Sequence, residues 1–582
     1  MGNRAFSAAV AVCFISIVTV LPIKSQIVDP GIHPGFDLTS LRPAGFNPMV
    51  SGLAFLPNGD LVVSTWENFG ANQGHVYILK NAQTGNAAQV TYTTFGSNMN
   101  EPLGVTVSGG EIYVIDKDSL LQMVDADKNQ VLDSKRRIAG GWFRNPTDNT
   151  NKDLQFALGM IQAPAPDNRF IVGLATRWVG GLASSTAERG CILGMALNRT
   201  NYDIIACGIR TPNGVTLGPE NGIFVTDNQG NYVPGSKLLH IKQGRFFGVL
   251  KSVASPFETA AVTPPVVWMP HGTDIHNVAV SPTQPVFLQS GVFANQMVVG
   301  DNCLGTLKRI SLEKVNGEYQ GAVFRFTGGL QAGANRIITG PDGALYVGGI
   351  GTPAATWGGW AWNNQYYGLQ RMTENGSPFF DIVGVRSTGN NSFAIDFTEP
   401  VTAAVASNFT VQQWSYSPAF TYGCCRNATQ TLTVTAASLS ANRMTANLTI
   451  TGLTPFNVVY IQLAGITASS GRPLWSNRFW YTLNNFGPGI PVKVVEEKLA
   501  RQNPDLWKAK TSLLPGGRIS LTWRHGLEKA EILDLAGRVL ESISHLEIQN
   551  GRWESSRNFA RGSYFVRIHG GTKTLAMKIA VP

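Results

Sequence analysis

One pattern recurs six times before residue 350, and it constrains the fold more than any other feature of the chain. An apolar alternating run leads into a turn rich in Pro, Asn, Asp and Gly, and a second alternating run follows. The copies are Gly52 to Ser64, Leu103 to Asp116, Ala163 to Thr176, Asn213 to Asp227, Val278 to Asp301 with a longer insertion, and Arg336 to Gly349. Side chains of a strand alternate with period two, and turn residues of this kind join antiparallel strands tightly. The copies lie roughly 50–60 residues apart, about the length of one four-stranded propeller blade. A sandwich or a β-helix would repeat over a shorter distance, and hardly any segment shows helical periodicity. The expectation is an all-β chain whose residues 26–376 form a six-bladed β-propeller.

Past Glu374-Asn-Gly-Ser-Pro378 the spacing changes. Residues 377–485 read as short alternating strands in a unit of the length of an immunoglobulin-like sandwich. A linker over 486–503 begins near Asn484-Asn-Phe-Gly-Pro-Gly-Ile-Pro. Residues 504–582 form a second small sandwich, with strands expected at Arg518–Trp523, Ala530–Leu535, Arg538–Ser542 and Tyr564–Ile568. Residues 1–25 read as a cleaved secretory signal: basic Arg4, an apolar stretch from Phe6 to Pro22, then Lys24-Ser-Gln26. The stretch is short for a bilayer span and no other follows, so the mature chain is expected to have none.

The formal charge of +9 is scattered, with Arg136-Arg137 its densest spot, so no basic stripe for nucleic acid exists. Five cysteines remain after the signal: Cys191, Cys207, Cys303, Cys424 and Cys425. None has the spacing of a zinc site or of covalent haem attachment. In an oxidising compartment Cys191 and Cys207 are expected to form a disulfide across one hairpin.

The last unit carries Ala530-Glu-Ile-Leu-Asp-Leu-Ala-Gly-Arg-Val-Leu and Ala560-Arg-Gly-Ser-Tyr-Phe-Val-Arg-Ile-His-Gly-Gly, ending in Met577-Lys-Ile-Ala-Val-Pro. It resembles the sorting domain of the type IX secretion system. That resemblance implies a Gram-negative bacterium and secretion to, or beyond, the cell surface through the outer-membrane machinery. Three stretches of the body carry a second resemblance: Gly208-Ile-Arg-Thr-Pro-Asn-Gly with Val225-Thr-Asp-Asn-Gln-Gly-Asn, Asn295-Gln-Met-Val-Val-Gly-Asp with Leu312 to Phe326, and Gly333-Ala-Asn-Arg to Gly349. The body resembles the glucose/sorbosone dehydrogenase-like propellers of the soluble quinoprotein dehydrogenases. Their cofactor is pyrroloquinoline quinone (PQQ), with calcium to polarise it.

The resemblance implies cofactor-binding roles for Arg210, Gln229, Asn302 and Arg336; the alternative is that Arg210 and Arg336 brace the central channel. Two departures stand against catalysis. The family's base histidine would fall within Asp153-Leu-Gln155, leaving Asp153 as a substitute, and its lysine would fall near Asp301 to Gly305. His271 and His276, with Asp274 between them, are the other candidate bases; a hydrogen-bonded loop is the plainer reading. A separate likeness, to calcium-dependent lactonases, rests on Pro212-Asn-Gly and Phe224-Val-Thr-Asp227, where Asn213 and Asp227 would supply oxygens to calcium. Finally, Trp357, Trp360 and Trp362 form a Gly-spaced aromatic loop, suited either to stacking on sugar rings or to closing the ring of blades. Two functions remain in view: a PQQ- and calcium-dependent sugar oxidoreductase, and a carbohydrate-binding propeller that has lost the chemistry. Lactone hydrolysis is third.

Overall fold

The computed structural model describes residues 31–67, 73–142, 156–176, 186–272, 275–352, 365–423, 425–487 and, in stretches, 510–581. Among these residues there is no α-helix. Six four-stranded antiparallel sheets follow one another along the chain. Blade 1 comprises Val50–Phe55, Leu61–Thr65, Gly74–Lys80 and Thr91–Met99; blade 2 comprises Gly104–Ser108, Glu111–Ile115, Ser119–Val124 and Ser134–Gly140. Blade 3 is Ala157–Gln162, Phe170–Leu174, Cys191–Met195 and Tyr202–Cys207, with short Arg245–Phe246 added in parallel. Blade 4 is Gly214–Leu217, Ile223–Asp227, Ser236–Ile241 and Val267–Met269. Blade 5 is Pro282–Phe287, Gln296–Asp301, Thr306–Val315 and Glu318–Thr327. Blade 6 is Gly333–Thr339, Leu345–Ile350, Tyr367–Glu374 and, from the other end of the chain, Phe36–Ser40. The first strand of each blade touches that of the next, and the sixth touches the first, so the ring is closed.

Burial explains why these segments read as they do. The second strands, such as Leu61–Thr65 and Phe170–Leu174, are buried on both faces between neighbouring blades and are apolar almost throughout. The fourth strand of blade 1 lies at the rim, and its first four residues are exposed. The turn between strands one and two is short: in blade 1 the Asp60 amide donates to Asn58 Oδ1 at 3.0 Å, and Gly59 takes φ +89°. The third repeat is the one whose frame shifts. Its hairpin begins at Ala157, six residues before the expected Ala163, because a bulge at Gly159 interrupts the alternation and Ala163-Pro-Ala-Pro166 belongs to the turn. Cys191 and Cys207 face each other across blade 3 and are joined by a disulfide.

The ring is closed by the N-terminal strand, Phe36 pairing with Glu374 and Ser40 with Gln370. Trp357, Trp360 and Trp362 lie outside the described residues. Beyond blade 6 the chain builds a two-sheet sandwich around a core that includes Phe393, Ile395, Val411, Leu448, Ile461 and Phe479. Its second sheet is not separate from the propeller. Gly321 to Val323 of blade 5 pair with Trp480 to Thr482 of the sandwich, giving one eight-stranded sheet. A buried ionic cluster spans the same junction: Arg309 Nη2 bonds Asp381 Oδ2 at 3.0 Å, and His33 Nε2 lies 3.5 Å from the same oxygen. The C-terminal unit packs a three-stranded and a four-stranded sheet around Ile519, Leu521, Ile532, Trp553 and Val566.

Candidate functional site

In an antiparallel hairpin the start of strand one and the end of strand two lie side by side. Residues just before the first strands and just after the second strands therefore collect on one face of the ring. There they line a cavity of about 210 Å³. Leu103, Phe156, Arg210, Thr211, Asn213, Val280, Ser281 and Asn335 reach it from the first-strand side, and Trp66, Asn228, Gln229, Asn302, Cys303 and Ile350 from the second.

Buried carboxylates hold these loops in place. Asp227, the last residue of its strand, accepts the amides of Arg210 at 3.1 Å and Thr211 at 2.7 Å. Asp301 does the same in blade 5, accepting from Val280 and Ser281 with one oxygen and from Cys303 and Leu304 with the other. Burial pushes both carboxyls up. Lys237, 3.7 Å from Asp227, works against that rise, and in blade 5 the Leu304 amide and Lys308 do so. Asp227 was expected to offer an oxygen to calcium. It is wholly buried and absent from the cavity wall, and its oxygens face the loop amides and Lys237.

Arg210, Gln229 and Asn302 do meet at the cavity. The Arg210 guanidinium lies against Gly230, where a Cβ would collide with it, and beneath the ring of Tyr422 at 5.2 Å. Its Nη1 donates to Thr211 Oγ1 at 3.2 Å, and its Nε is buried with no hydrogen-bond partner. Arg336 is elsewhere. It is 1% exposed and donates to the carbonyls of Ser51, Leu103, Asn213 and Asn335, bracing four blades across the channel. This is the bracing alternative: its partners are backbone carbonyls and the side-chain amide oxygens of Asn213 and Asn335. Burial pushes Arg336 down to about 9, so it stays charged at neutral pH.

The two histidines do not act together. His276 accepts from the Trp480 indole at Nδ1, 3.0 Å, and sits among Trp414, Tyr460 and Trp480 at the sandwich junction, away from the cavity wall. His271 is not part of the lining, though Gly423 lies close to both it and Gln229; burial pushes its imidazole down, opposed by Asn277. Asp153 lies outside the described residues.

Sequence reasoning missed Tyr422. It comes from the sandwich, on the loop between Phe409–Tyr416 and Arg426–Leu432, which docks on the Gln229-Gly230 loop. Tyr232 N donates to Ala419 O at 2.7 Å, Asn231 Nδ2 to Phe420 O at 2.7 Å, and Gly423 N to Gly230 O at 3.2 Å. No local signal marks this contact, because the partners are about two hundred residues apart. A second omission was legible: Asp125, Asp127 and Asp133 bring carboxylate oxygens within 4.8 Å of one another on an exposed turn of blade 2, and their Asp-x-Asp spacing is visible in the sequence.

No protein-family model matches the chain, and no curated protein matches it. Solved structures do. A putative oxidoreductase (glucose dehydrogenase) of Thermus thermophilus is 17% identical, covering 58% of this chain and all of its own, with a TM-score of 0.42. The PQQ-bound aldose sugar dehydrogenase of Streptomyces coelicolor is 16% identical over 59% of this chain and all of its own, with a TM-score of 0.38. The PQQ domain of pyranose dehydrogenase from Coprinopsis cinerea is 11% identical over 59% of this chain and 96% of its own, TM-score 0.40. The chain is all-β and its body is a β-propeller.

PQQ carries three carboxylates. Against them the described lining sets one cation, Arg210, and neither an imidazole nor a carboxylate. Lys237 and Lys308 are drawn to Asp227 and Asp301, and Arg336 is spent on carbonyls. The described residues do not fit the quinone. The described lining also offers calcium only neutral oxygens.

Proposed function

We propose that this propeller recognises a carbohydrate in the cavity at one end of its channel. One observation carries the reading: the described lining joins aromatic surfaces, Trp66, Phe156 and Tyr422, to the neutral amides Asn213, Asn228, Gln229, Asn302 and Asn335, with no carboxylate or imidazole. Aromatic faces stack on sugar rings, and amides exchange hydrogen bonds with hydroxyls. Alcohol oxidation requires a general base, and the described residues of this wall supply none. The second reading is a quinone-dependent sugar oxidoreductase, and what favours it is the meeting of Arg210 and Gln229 at the cavity.

The test is calorimetric titration of the full mature chain with a panel of sugars, in parallel with PQQ plus calcium and a dye-reduction assay. Sugar binding without quinone binding is the expected result. Quinone binding abolished by Arg210→Ala, together with dye reduction, would put the oxidoreductase in its place.

Delivery to the outside of the cell belongs to the same proposal, since sugars of the surroundings are met there. It is supported by the N-terminal signal pattern and by the sorting-type motifs of the last unit. Removing the chain after Gln502 is expected to leave the protein in the periplasm; surface delivery of that truncation would refute the sorting role.

A further inference from the structure

The charges around the cavity do not balance. Of four buried carboxylates near its walls, three have a lysine: Glu101 with Lys117 at 2.8 Å, Asp227 with Lys237 at 3.7 Å, and Asp301 with Lys308 acting on it electrostatically; the fourth, Asp116, accepts from the amides of Asp118 and Ser119 and from the Ser119 hydroxyl. Among the described residues three buried arginines lie nearby, Arg189, Arg210 and Arg336, and Arg189 donates to Phe156 O at 3.3 Å. Arg336 has only neutral carbonyl and amide oxygens as partners. Arg210 is 5% exposed and makes no ion pair within 4 Å among the described residues; Asp227, whose field it shares, already holds Lys237. A buried charge without a counter-charge is costly.

The surrounding amides are oriented to suit. Arg336 donates to Asn213 Oδ1 at 3.3 Å, which turns the Asn213 amide nitrogen away from Arg336. Asn228 donates to Ser281 Oγ at 2.8 Å, and among the described residues its buried Oδ1 and the Oδ1 of Asn302, at 1% exposure, have no hydrogen-bond partner. The wall thus holds unpaired positive charge at Arg210 and buried unpartnered acceptors at Asn228 and Asn302. Donors suit a carboxylate, and acceptors suit hydroxyls.

We propose that the ligand of this cavity is an acidic sugar, a uronic or aldonic acid, whose carboxylate pairs with Arg210 between Gly230 and the Tyr422 ring. The inference rests on the carbohydrate reading above and narrows it. A neutral sugar would leave Arg210 buried and unpaired. A carboxylate closes the balance at that residue, and its hydroxyls meet Asn228 and Asn302.

Titration of the full chain with galacturonate, glucuronate and gluconate, against galactose and glucose, tests this. The acids are expected to bind at least about tenfold more tightly, and the preference should shrink as salt rises, since charge–charge attraction is screened. Arg210→Gln should erase the preference of acids over neutral sugars; should that variant not fold, the salt dependence of the natural protein decides. Equal affinity for acids and neutral sugars would overturn this inference and leave the carbohydrate reading standing. Absence of binding to any sugar would remove both, and tight binding of PQQ alone would assign the arginine to the quinone's carboxylates instead.

Discussion

Arg309 is the residue on which the joint between propeller and sandwich most depends. Its guanidinium is fully buried. Nη2 donates to Asp381 Oδ2 at 3.0 Å and to Ile382 O at 2.7 Å, Nη1 donates to Gln296 Oε1 at 2.6 Å, and the group lies 3.8 Å from the centroid of the Phe293 ring. Arg309→Met keeps most of the volume and removes the charge. Asp381 then stays buried with the amides of Ile382 and Ser476 and with His33, but without its main counter-charge. Removing one partner of a buried pair costs about 3–5 kcal/mol. Adding Asp381→Asn removes the stranded charge while keeping an acceptor for the two amides, so the double variant should recover at least half of the loss. Urea unfolding followed by tryptophan fluorescence measures both.

The same cluster makes a pH statement. Burial works to raise the Asp381 carboxyl, and Arg309 and His33 more than offset it, so the folded pKa lies below the ordinary value. Its stabilisation is therefore present above about pH 4, the unfolded carboxyl range, and is lost as pH falls through the lower folded value. Arg309→Met should lose that acid dependence. A cost below about 1 kcal/mol, or a double variant no better than the single one, would refute the reasoning, since a buried pair that can be broken so cheaply is not the anchor described.

Other outcomes can be checked more briefly. Tyr422→Ala, which removes a cation–π contact with Arg210 worth about 0.5–2 kcal/mol, should weaken acidic-sugar binding roughly 2- to 30-fold, while Tyr422→Phe should retain it; calorimetry reads both. Burial and the nearby Lys242 and Arg245 hold His240 down to about 4, so the unfolded chain takes up its proton first as pH falls. Stability should drop between about pH 6.5 and 4, and His240→Gln should flatten that drop in a series of urea midpoints. Burial and then Asp301 push the Cys303 thiol far up, so it should resist alkylation at pH 7.5 in the folded protein and react on unfolding, as counted by mass spectrometry.

The blades were legible because their signals are local. Pro57-Asn-Gly-Asp60 and Pro341-Asp-Gly343 are turn chemistry, and the apolar runs beside them are strands buried on both faces. The third blade was misframed because Gly159 breaks its alternation. Arg210, Gln229 and Asn302, which the motifs single out for cofactor binding, line the cavity. For Arg336 the sequence leaves cofactor binding and channel bracing both open, because carbonyl partners on four blades leave no mark on side-chain identity. Asp227 misled because a carboxylate that fastens a loop and one that holds a metal look alike in sequence; only the two amides and Lys237 around it tell them apart. Tyr422 was invisible, since the loop that carries it reaches the cavity by backbone contacts with Gly230, Asn231 and Tyr232, about two hundred residues away in the chain.

That shared eight-stranded sheet has a mechanical consequence. The outer strand of a blade ordinarily presents a row of unpaired amides and carbonyls, and over Gly321 to Val323 those groups are tied to Trp480 to Thr482. Shearing the sandwich from the propeller there means tearing backbone hydrogen bonds and the Arg309–Asp381 pair together. The loop that carries Tyr422 leaves a strand of that same sheet and is fastened on its other side by the bonds of Gly230, Asn231 and Tyr232, so the joint and the cavity wall share one hydrogen-bonded frame.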